Sequence, residues 1–263
     1  MFETTKGNVS SNGQALSGGY IGGTSASARN SARQQSFQTL QSGLPLVFRN
    51  GRPVLQPETP SRAAQLAIKR LMDIVLSAAA LVAFAPLLIA VALAIKLSSP
   101  GPILFRQQRE GLRGAPIVVY KFRTMYSETC DLSGIIQTTH NDPRVTPFGL
   151  FLRRASIDEL PQLFNVLKGE MSLIGPRPHA FNMLAAGVLY TELVPYYRYR
   201  QLMKPGLSGW AQANGYRGPT NDPQKAQMRV DHDIAYVQNF SLWLDLRTIG
   251  MTIAREITGG TGG

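Results

Sequence analysis

Cysteine and histidine are scarce in this chain of 263 residues, which excludes several kinds of site. The single cysteine, Cys130, rules out an internal disulfide framework and a zinc site built from cysteines. The three histidines (His140, His179 and His232) show none of the spacings found in metal sites, and we expect each to be structural or solvated. Walker and dinucleotide-binding glycine motifs are also absent. Any phosphate chemistry must therefore rest on other residues.

Acidic residues are outnumbered by basic ones. The chain has 16 Asp and Glu against 27 Lys and Arg, which gives a formal net charge of +11 at pH 7. Such an excess favours an anionic partner, and nucleic acid, acidic lipid headgroups and phosphorylated substrates are all candidates.

Residues 1–60 lack a sustained hydrophobic pattern and are rich in Ser, Gly, Gln, Thr and Asn. A segment of this composition cannot bury enough apolar surface to offset the entropy that it loses on ordering. We therefore predict a disordered tail over 1–60 that is dispensable for chemistry, and a second flexible tail over 259–263.

Charged residues are missing from 74 to 95, which is about the length of a helix that crosses a bilayer. Basic residues flank both ends, with Lys69 and Arg70 before the run, whereas a spanning helix carries its positive excess on one side. Pro86, near the middle, removes a helical hydrogen bond and favours a kink. These features favour a re-entrant helix–break–helix hairpin over residues 61–98 rather than a single span.

Alternating basic and apolar residues then predict two short strands within 103–122. Lys121 and Arg123 at the end of the second strand are candidates for binding phosphate. Arg109 and Arg113 are instead expected to lie on a solvated edge of the sheet.

Two adjacent carboxylates, Asp158 and Glu159, stand just before a short helix whose apolar residues share one face. Pro161 cannot lie deep in a helix, so the helix is predicted to begin within a residue or two of Asp158. The carboxylates would then lie at the positive pole of the helix, which also attracts phosphate. The alternative, that Glu159 closes a capping box with Ser156, stays open on these residues alone.

The sequence Gly-Pro-Arg-Pro at 175–178 predicts a rigid turn in which Pro176 and Pro178 hold Arg177 in one pose. A fixed guanidinium near two carboxylates suits phosphoryl chemistry, because arginine binds phosphate bidentately. Arg154 adds another cation nearby in sequence. A simple chain reversal is the alternative for this turn.

The last part of the chain is predicted to hold three amphipathic helices: 180–194, 223–239 and 241–257. Asp233 and Tyr236 share one face of the second. Between the first two, aromatic and basic residues alternate at 195–200, and we assign this cluster to a membrane interface rather than to nucleic-acid stacking.

In this order the features resemble the bacterial sugar transferase family, the monotopic phosphoglycosyl transferases that use a polyprenyl phosphate and initiate exopolysaccharide assembly. The resemblance covers about residues 66–257. It rests on Lys-Phe-Arg-Thr-Met at 121–125, on the block from Ser-Ile-Asp-Glu-Leu-Pro to Gly-Pro-Arg-Pro at 156–178, and on Pro-Gly-Leu-Ser-Gly-Trp at 205–210. It implies an α/β, mostly helical fold with a small sheet, anchored by the re-entrant hairpin, and a cytoplasmic catalytic domain over 99–258.

The resemblance also implies the reaction, a Mg²⁺-dependent transfer of sugar-1-phosphate from a nucleoside diphosphate sugar to undecaprenyl phosphate at the bacterial inner membrane. UDP-galactose or UDP-glucose is the expected donor, and the nucleoside monophosphate is released. Asp158 would carry the phosphosugar as nucleophile, Glu159 would help to place the metal or handle the acceptor's proton, and both would bind Mg²⁺. Arg177 would clamp a phosphate or the nucleotide, and Asp233 and Tyr236 would support the donor site.

Two other classes of protein are weighed against this. A membrane-associated protein that binds nucleic acid or anionic lipid without catalysis would use the basic charge, but it gives no role to the Asp158-Glu159 pair. A conventional glycosyltransferase would release the nucleoside diphosphate instead. The expected partners are thus the nucleotide sugar, undecaprenyl phosphate and the bilayer, not nucleic acid, while a homo-oligomer stays open.

Overall fold

Three short strands lie in the segment that the sequence predicts to be a disordered tail. The computed structural model describes residues 35–129 and 142–258, so the predictions for both chain ends and for Cys130 and His140 lie outside the described residues. The strands form one antiparallel sheet in the order β1–β2–β3: β1 (Gln35–Thr39), β2 (Pro45–Arg49) and β3 (Arg52–Pro53).

This sheet is stabilised by residues far away in sequence. Leu46 is fully buried and Leu40 is 3% exposed. The side-chain amide of Gln238, 191 residues after Val47, accepts from the Val47 N–H (3.1 Å) and donates to its carbonyl (2.8 Å). The prediction of disorder over 1–60 is therefore wrong from residue 35 onward. Local composition cannot predict contacts with residues so far away in sequence.

Two N-terminal truncations are expected to differ sharply. Deleting residues 1–58 removes Leu40 and Leu46 from the core, at roughly 2 kcal/mol or more each, and leaves the Gln238 amide without its backbone partners. We expect this truncation to lower the melting temperature and the activity, whereas deleting 1–34 removes none of these contacts and is the matched control. Equal melting temperatures for the two truncations would contradict the structural role of the sheet.

A long helix and a shorter one follow, joined by a sharp bend. The first, α1, spans Pro60–Ala83, the second, α2, spans Ala85–Ser98, and their axes bend by 62°. Pro86 lies in the first turn of α2, where its missing N–H needs no helical acceptor. The break predicted within 61–98 is thus present. No single described helix is long and apolar enough to cross a bilayer, whereas this bent pair meets the length and composition of a broken span or re-entrant loop.

The exposed surface of the bent pair is largely apolar, and the buried face of α1 is polar, whereas α2 buries Val91 and Ile95. The buried residues of α1 are Lys69, Asp73 and Ser77, spaced four apart on one helical face. The large apolar side chains exposed along the pair are Leu66, Ile68, Leu71, Ile74, Val75, Leu76, Val82, Phe84, Leu87, Ile89, Leu93 and Leu97. This pattern is the reverse of the one that a helix shows between water and an apolar core.

The basic residues before the apolar run bind protein groups. Lys69 is 6% exposed and donates from Nζ to Asp245 Oδ2 (2.6 Å) and to the carbonyl of Ile174 (2.9 Å). Arg70 donates to the carbonyl of Leu167 (2.8 Å) and to the one before it (2.6 Å). The donors of both residues are thus engaged by the protein, and their place at the membrane boundary stays a prediction.

An antiparallel hairpin follows the bent pair. Its strands are β4 (Leu104–Glu110) and β5 (Pro116–Phe122), which confirms the two predicted strands and lengthens them. By the register of the hairpin, Lys121 and Arg109 lie on the same face, four residues apart along it.

Short elements connect the hairpin to the C-terminal helices. They are α3 (Pro147–Arg154), α4 (Gln162–Lys168), β6 (Ser172–Ile174), β7 (Leu184–Ala185), β8 (Val188–Leu189), α5 (Tyr190–Leu193), β9 (Gly206–Ser208) and α6 (Trp210–Ala213). Strand β6 pairs with β9 in parallel, and β7 pairs with β8 antiparallel.

The helix predicted over residues 180–194 is wrong. The segment forms the small β7–β8 hairpin and only the single turn α5. Asn182, Ala186 and Gly187 have positive φ values of 55°, 50° and 84°. Left-handed residues cannot continue a right-handed helix, so they end it wherever they occur.

Two residues of the segment 195–200 lie in the core rather than at a membrane interface. Tyr197 and Arg200 are each 2% exposed. Arg200 forms a salt bridge with Asp233 (2.8 Å), and the Tyr197 hydroxyl donates to Glu110 (2.6 Å). The interface prediction is wrong here, because both side chains have buried partners that sequence spacing does not reveal.

The two C-terminal helices match the sequence prediction. They are α7 (Pro223–Gln238) and α8 (Leu242–Ile257). Helix α7 supplies much of the core, while α8 exposes Trp243, Leu246 and Ile253 on one side. The described chain is therefore mostly helical with small sheets.

Candidate active site

Two cations meet one carboxylate beside the end of β5. Lys121 places its Nζ 2.6 Å from Glu159 Oε1. Arg177, in the turn after β6, donates from Nη2 to the same oxygen (2.5 Å) and from Nη1 to Oε2 (3.1 Å). The structure thus brings together three residues that the sequence singles out in three separate segments.

The paired carboxylates lie in a tighter turn than the sequence predicts. Residues Ile157–Glu159 form a single 3₁₀ turn, and α4 begins only at Gln162, after Pro161. The prediction that the helix begins within a residue or two of Asp158 is wrong for the α-helix. The positive pole of α4 is therefore displaced from Asp158, and the charges that lower the pKa of the two carboxylates are those of nearby Lys and Arg side chains.

Ser156 precedes this turn in a left-handed conformation, with φ 53°. Its hydroxyl donates to Glu256 on α8 (3.2 Å) and caps no backbone group of the turn. Because the Glu159 carboxylate also binds cations instead of a backbone N–H, the capping-box alternative is wrong.

Among the described residues, the buried carboxylate of Asp158 has no partner. It is 7% exposed and forms no hydrogen bond or salt bridge with any residue that the structure describes. Burial raises its pKa from 3.8 to about 6, against the attraction of Lys121, and the neighbouring negative charge of Glu159 raises it further. Asp158 is therefore ionised at neutral pH and free to react or to bind a cation.

Glu159 is in the opposite state. Burial alone would raise its pKa, but Arg177 and Lys121 bind it directly and hold the pKa well below 4.5. It is a fixed anion between two cations. The two adjacent carboxylates thus differ in pKa and in their partners, and this difference comes from the side chains around them rather than from their order in the sequence.

A small open pocket, of about 50 Å³, lies over this cluster. Its lining residues are Arg109, Val119, Lys121, Gln162, Arg177 and Pro178. Three of the six are cations, so the pocket suits a ligand that carries several negative charges, such as a diphosphate.

The turn that carries Arg177 is held from both sides. A Cβ on Gly175 would lie 2.3 Å from the carbonyl oxygen of Lys204, so only glycine allows this close approach. Arg200 donates to the carbonyl of Arg177 and binds Asp233 through Nε (2.9 Å). Asp233 therefore acts on the pocket through Arg200 and does not line it, which refines its predicted role at the donor site.

A model of the family described as bacterial sugar transferase matches residues 64–259, which include the whole of this pocket. The chain belongs to the bacterial sugar transferase family.

Three relatives show what this family contains. The chain is 53% identical over 197 residues to the exopolysaccharide production protein PSS of Rhizobium leguminosarum bv. phaseoli, covering 75% of this chain and 98% of that protein. It is 47% identical over 205 residues to a UDP-glucose:undecaprenyl-phosphate glucose-1-phosphate transferase of Escherichia coli (strain K12), covering 78% and 43%. It is 43% identical over 193 residues to a UDP-N-acetylgalactosamine-undecaprenyl-phosphate N-acetylgalactosaminephosphotransferase of Aeromonas hydrophila, covering 73% and 44%. The chain thus spans less than half of the last two.

Other residues predicted for the site of this sugar transferase lie elsewhere. Arg123 donates to three carbonyl groups at and just beyond the end of α2 (2.7–3.1 Å), so its guanidinium is not available for phosphate. Tyr236 is 1% exposed and donates to Asp245 (2.7 Å). Arg154 is exposed, whereas the neighbouring Arg153 is the one whose charge lowers the pKa of Asp158. Arg123 and Tyr236 are engaged elsewhere, and Arg154 is not among the residues that line the pocket.

Sequence reasoning missed Arg109 and Gln162, which line the sugar transferase pocket. Arg109 was expected at a solvated edge. The signal that reveals it is the alternation of the hairpin, which places Arg109 on the face of Lys121.

The predicted Mg²⁺ fits the carboxylate pair as an ion shared with substrate. Mg²⁺ commonly takes one or two protein carboxylates and completes its coordination with phosphate oxygens and water. Asp158 has carboxylate oxygens without protein partners, and Glu159 is adjacent to it. Among the described residues no group of three or more His, Cys, Asp and Glu could form an all-protein metal site.

Proposed function

We propose that this protein transfers a sugar-1-phosphate from a UDP-sugar to undecaprenyl phosphate, releasing UMP, as the first membrane step of exopolysaccharide biosynthesis. Family membership and the activities named for the relatives support the general reaction. UDP-glucose is the first donor to test, because several relatives carry it in their names.

The observation that carries the proposal is the buried Asp158 carboxylate, which no described residue pairs with, beside a cationic pocket. An oxygen of Asp158 attacks the sugar-bearing phosphorus, the bond from that phosphorus to the bridging oxygen breaks, and the oxygen leaves on UMP. A phosphate oxygen of undecaprenyl phosphate then attacks the same phosphorus, and the bond to Asp158 breaks. The carboxylate is regenerated and the lipid carries the sugar diphosphate.

The cations around Asp158 stabilise the negative charges that meet in this reaction. Lys121 and Arg177 fix Glu159 and offer their remaining donors to the donor's phosphate oxygens. Mg²⁺, which Asp158 and Glu159 would hold, supplies charge that offsets the repulsion between carboxylates and diphosphate. Each half of the reaction thus takes place at one phosphorus within one electropositive pocket.

The released nucleotide tests the reaction class. With undecaprenyl phosphate and UDP-glucose, UDP-galactose or UDP-N-acetylgalactosamine, we expect UMP to appear in step with lipid-linked sugar. Chromatography of the nucleotides measures it, and a reaction without lipid should stop after about one UMP per enzyme. Release of UDP would mean that sugar moves without its phosphate and would overturn the proposal.

We also propose that the α1–α2 pair enters the cytoplasmic face of the inner membrane and returns to it. The outward apolar side chains and the inward polar stripe of Lys69, Asp73 and Ser77 support this placement, because lipid reverses the usual amphipathic pattern. The exposed Trp243 and Leu246 of α8 supply a second apolar surface suited to the interface.

Single cysteines at Gln65 and Ser99, in a Cys130→Ser background, test this topology. Both sites flank the apolar run, so both should be protected from a membrane-impermeant thiol reagent in intact cells and both should react after permeabilisation. Mass shift on a gel measures the labelling. Reaction of only one site in intact cells would show a single span.

A further inference from the structure

We propose that Arg109 binds the phosphate group that departs with the nucleotide when Asp158 takes the sugar phosphate. This assignment rests on the proposed function. It adds to the pocket a cation that the predicted catalytic set, built on Asp158, Glu159 and Arg177, does not contain.

Arg109 is a partly buried cation without a carboxylate of its own. Its Nε (2.8 Å) and its Nη2 both donate to the side-chain oxygen of Gln107, a neutral amide, and no salt bridge joins it to any described residue. Burial and the nearby charge of Arg177 lower its pKa to about 10. A cation in this state is stabilised when an anion enters, and it stays charged at neutral pH.

The structure holds Arg109 beside Arg177. The N–H of Glu110, the next residue on β4, donates to the carbonyl of His179 (2.9 Å), which ties the end of the strand to the turn after Arg177. The Tyr197 hydroxyl (2.6 Å) fixes the Glu110 carboxylate in turn. Arg109 and Arg177 thus face the pocket from two segments that are bonded to each other.

Arg109 lies farther along the hairpin from the carboxylate pair than Lys121 does. The Lys121 Nζ contacts Glu159, the neighbour of Asp158, whereas Arg109 lines the pocket and forms no salt bridge with a described carboxylate. Along the hairpin, Arg109 and Lys121 are four residues apart, roughly 13 Å at the rise of a strand.

This order matches the geometry of phosphoryl transfer. The attacking and leaving oxygens lie in line on opposite sides of the phosphorus. With Asp158 at one end, the bridging oxygen and the phosphate of UMP point toward the other end, where Arg109 stands. Its guanidinium can accept the charge that develops on the leaving phosphate.

The two ways of discharging the covalent adduct test the assignment. Purified adduct is treated with UMP, which reverses the first step, or with undecaprenyl phosphate, which completes the second. In Arg109→Met we expect adduct formation and UMP-dependent discharge to slow at least tenfold, while discharge by undecaprenyl phosphate stays within about twofold. Intact-protein mass spectrometry measures all three.

Arg113→Met is the matched control, since Arg113 is an exposed arginine in the turn of the same hairpin. It should leave every rate unchanged. Arg109→Met should also weaken equilibrium binding of UMP about tenfold, a readout that needs no adduct, and Arg109→Lys should recover part of it. Equal slowing of both discharges, or unchanged UMP binding in Arg109→Met, would overturn the assignment. Absence of any adduct in the unsubstituted enzyme would instead overturn the covalent route and this assignment with it.

Discussion

Asp158→Asn is expected to abolish both the phosphosugar adduct and turnover. Incubated with Mg²⁺ and donor but no lipid, the unsubstituted protein should gain the mass of one sugar phosphate and lose it again when undecaprenyl phosphate is added. An amide is a poor nucleophile, so the substituted protein should show neither change, with turnover reduced by a factor of a thousand or more. Intact-protein mass spectrometry and UMP release measure the two effects.

The melting temperature of Asp158→Asn distinguishes a loss of catalysis from a loss of folding. The pKa of Asp158 is raised from 3.8 to about 6, so the folded protein holds its proton more tightly than the unfolded chain, and ionisation opposes folding by about 3 kcal/mol above pH 6. Asn carries no charge to desolvate. Asp158→Asn should therefore melt several degrees higher at pH 7.5. This difference should shrink as the pH falls below about 6 and vanish only below pH 3.8, where the Asp is protonated in both the folded and the unfolded state.

Glu159→Gln is the matched control for the carboxylate pair. It should also reduce turnover, but for another reason: it removes the anion that Lys121 and Arg177 share and leaves two partly buried cations uncompensated. It should lower the melting temperature, the opposite sign from Asp158→Asn. An adduct on Asp158→Asn, or kinetics that require donor and lipid to be bound together, would show that another group is the nucleophile.

The sequence predicts which residues form the site better than it predicts the contacts that hold those residues in place. Asp158, Glu159, Arg177 and Lys121 stand in local patterns whose chemistry is legible, and the structure brings Glu159 together with both cations. The separate roles of the two carboxylates cannot be predicted from the sequence, because they depend on which carboxylate the cations bind in the folded chain.

Long-range partners account for the errors. Arg123 resembles a phosphate ligand in sequence, yet it binds carbonyl groups at the end of α2 that lie more than twenty residues earlier. The β1–β3 sheet resembles disorder until Gln238 is placed against Val47. In each case local propensity is overridden by a contact whose existence only the folded chain determines.

Asp245→Ala is expected to have the largest effect on stability. Asp245 on α8 is 1% exposed and binds both Lys69 of α1 (2.6 Å) and the hydroxyl of Tyr236 on α7 (2.7 Å). Removing it leaves the buried ammonium of Lys69 without a carboxylate and with the carbonyl of Ile174 as its one described hydrogen-bond acceptor, at a cost of about 3–5 kcal/mol. For a chain of this size that lowers the melting temperature by roughly 10 °C.

Activity should fall with stability, because Ile174 directly precedes the turn Gly175–Pro178 that carries Arg177, and Lys69 joins that segment to the bent pair. The matched control is the double variant Lys69→Met, Asp245→Leu. It replaces the ion pair by apolar side chains of similar size, which is often neutral or stabilising, so it should regain most of the melting temperature. Thermal unfolding in nanodiscs measures both. Equal melting temperatures for Asp245→Ala and the parent, or a double variant that melts no higher than Asp245→Ala, would contradict this account. The uncompensated charge of Lys69 would then not be the cause of instability, and other contacts would link the bent pair to the turn that carries Arg177.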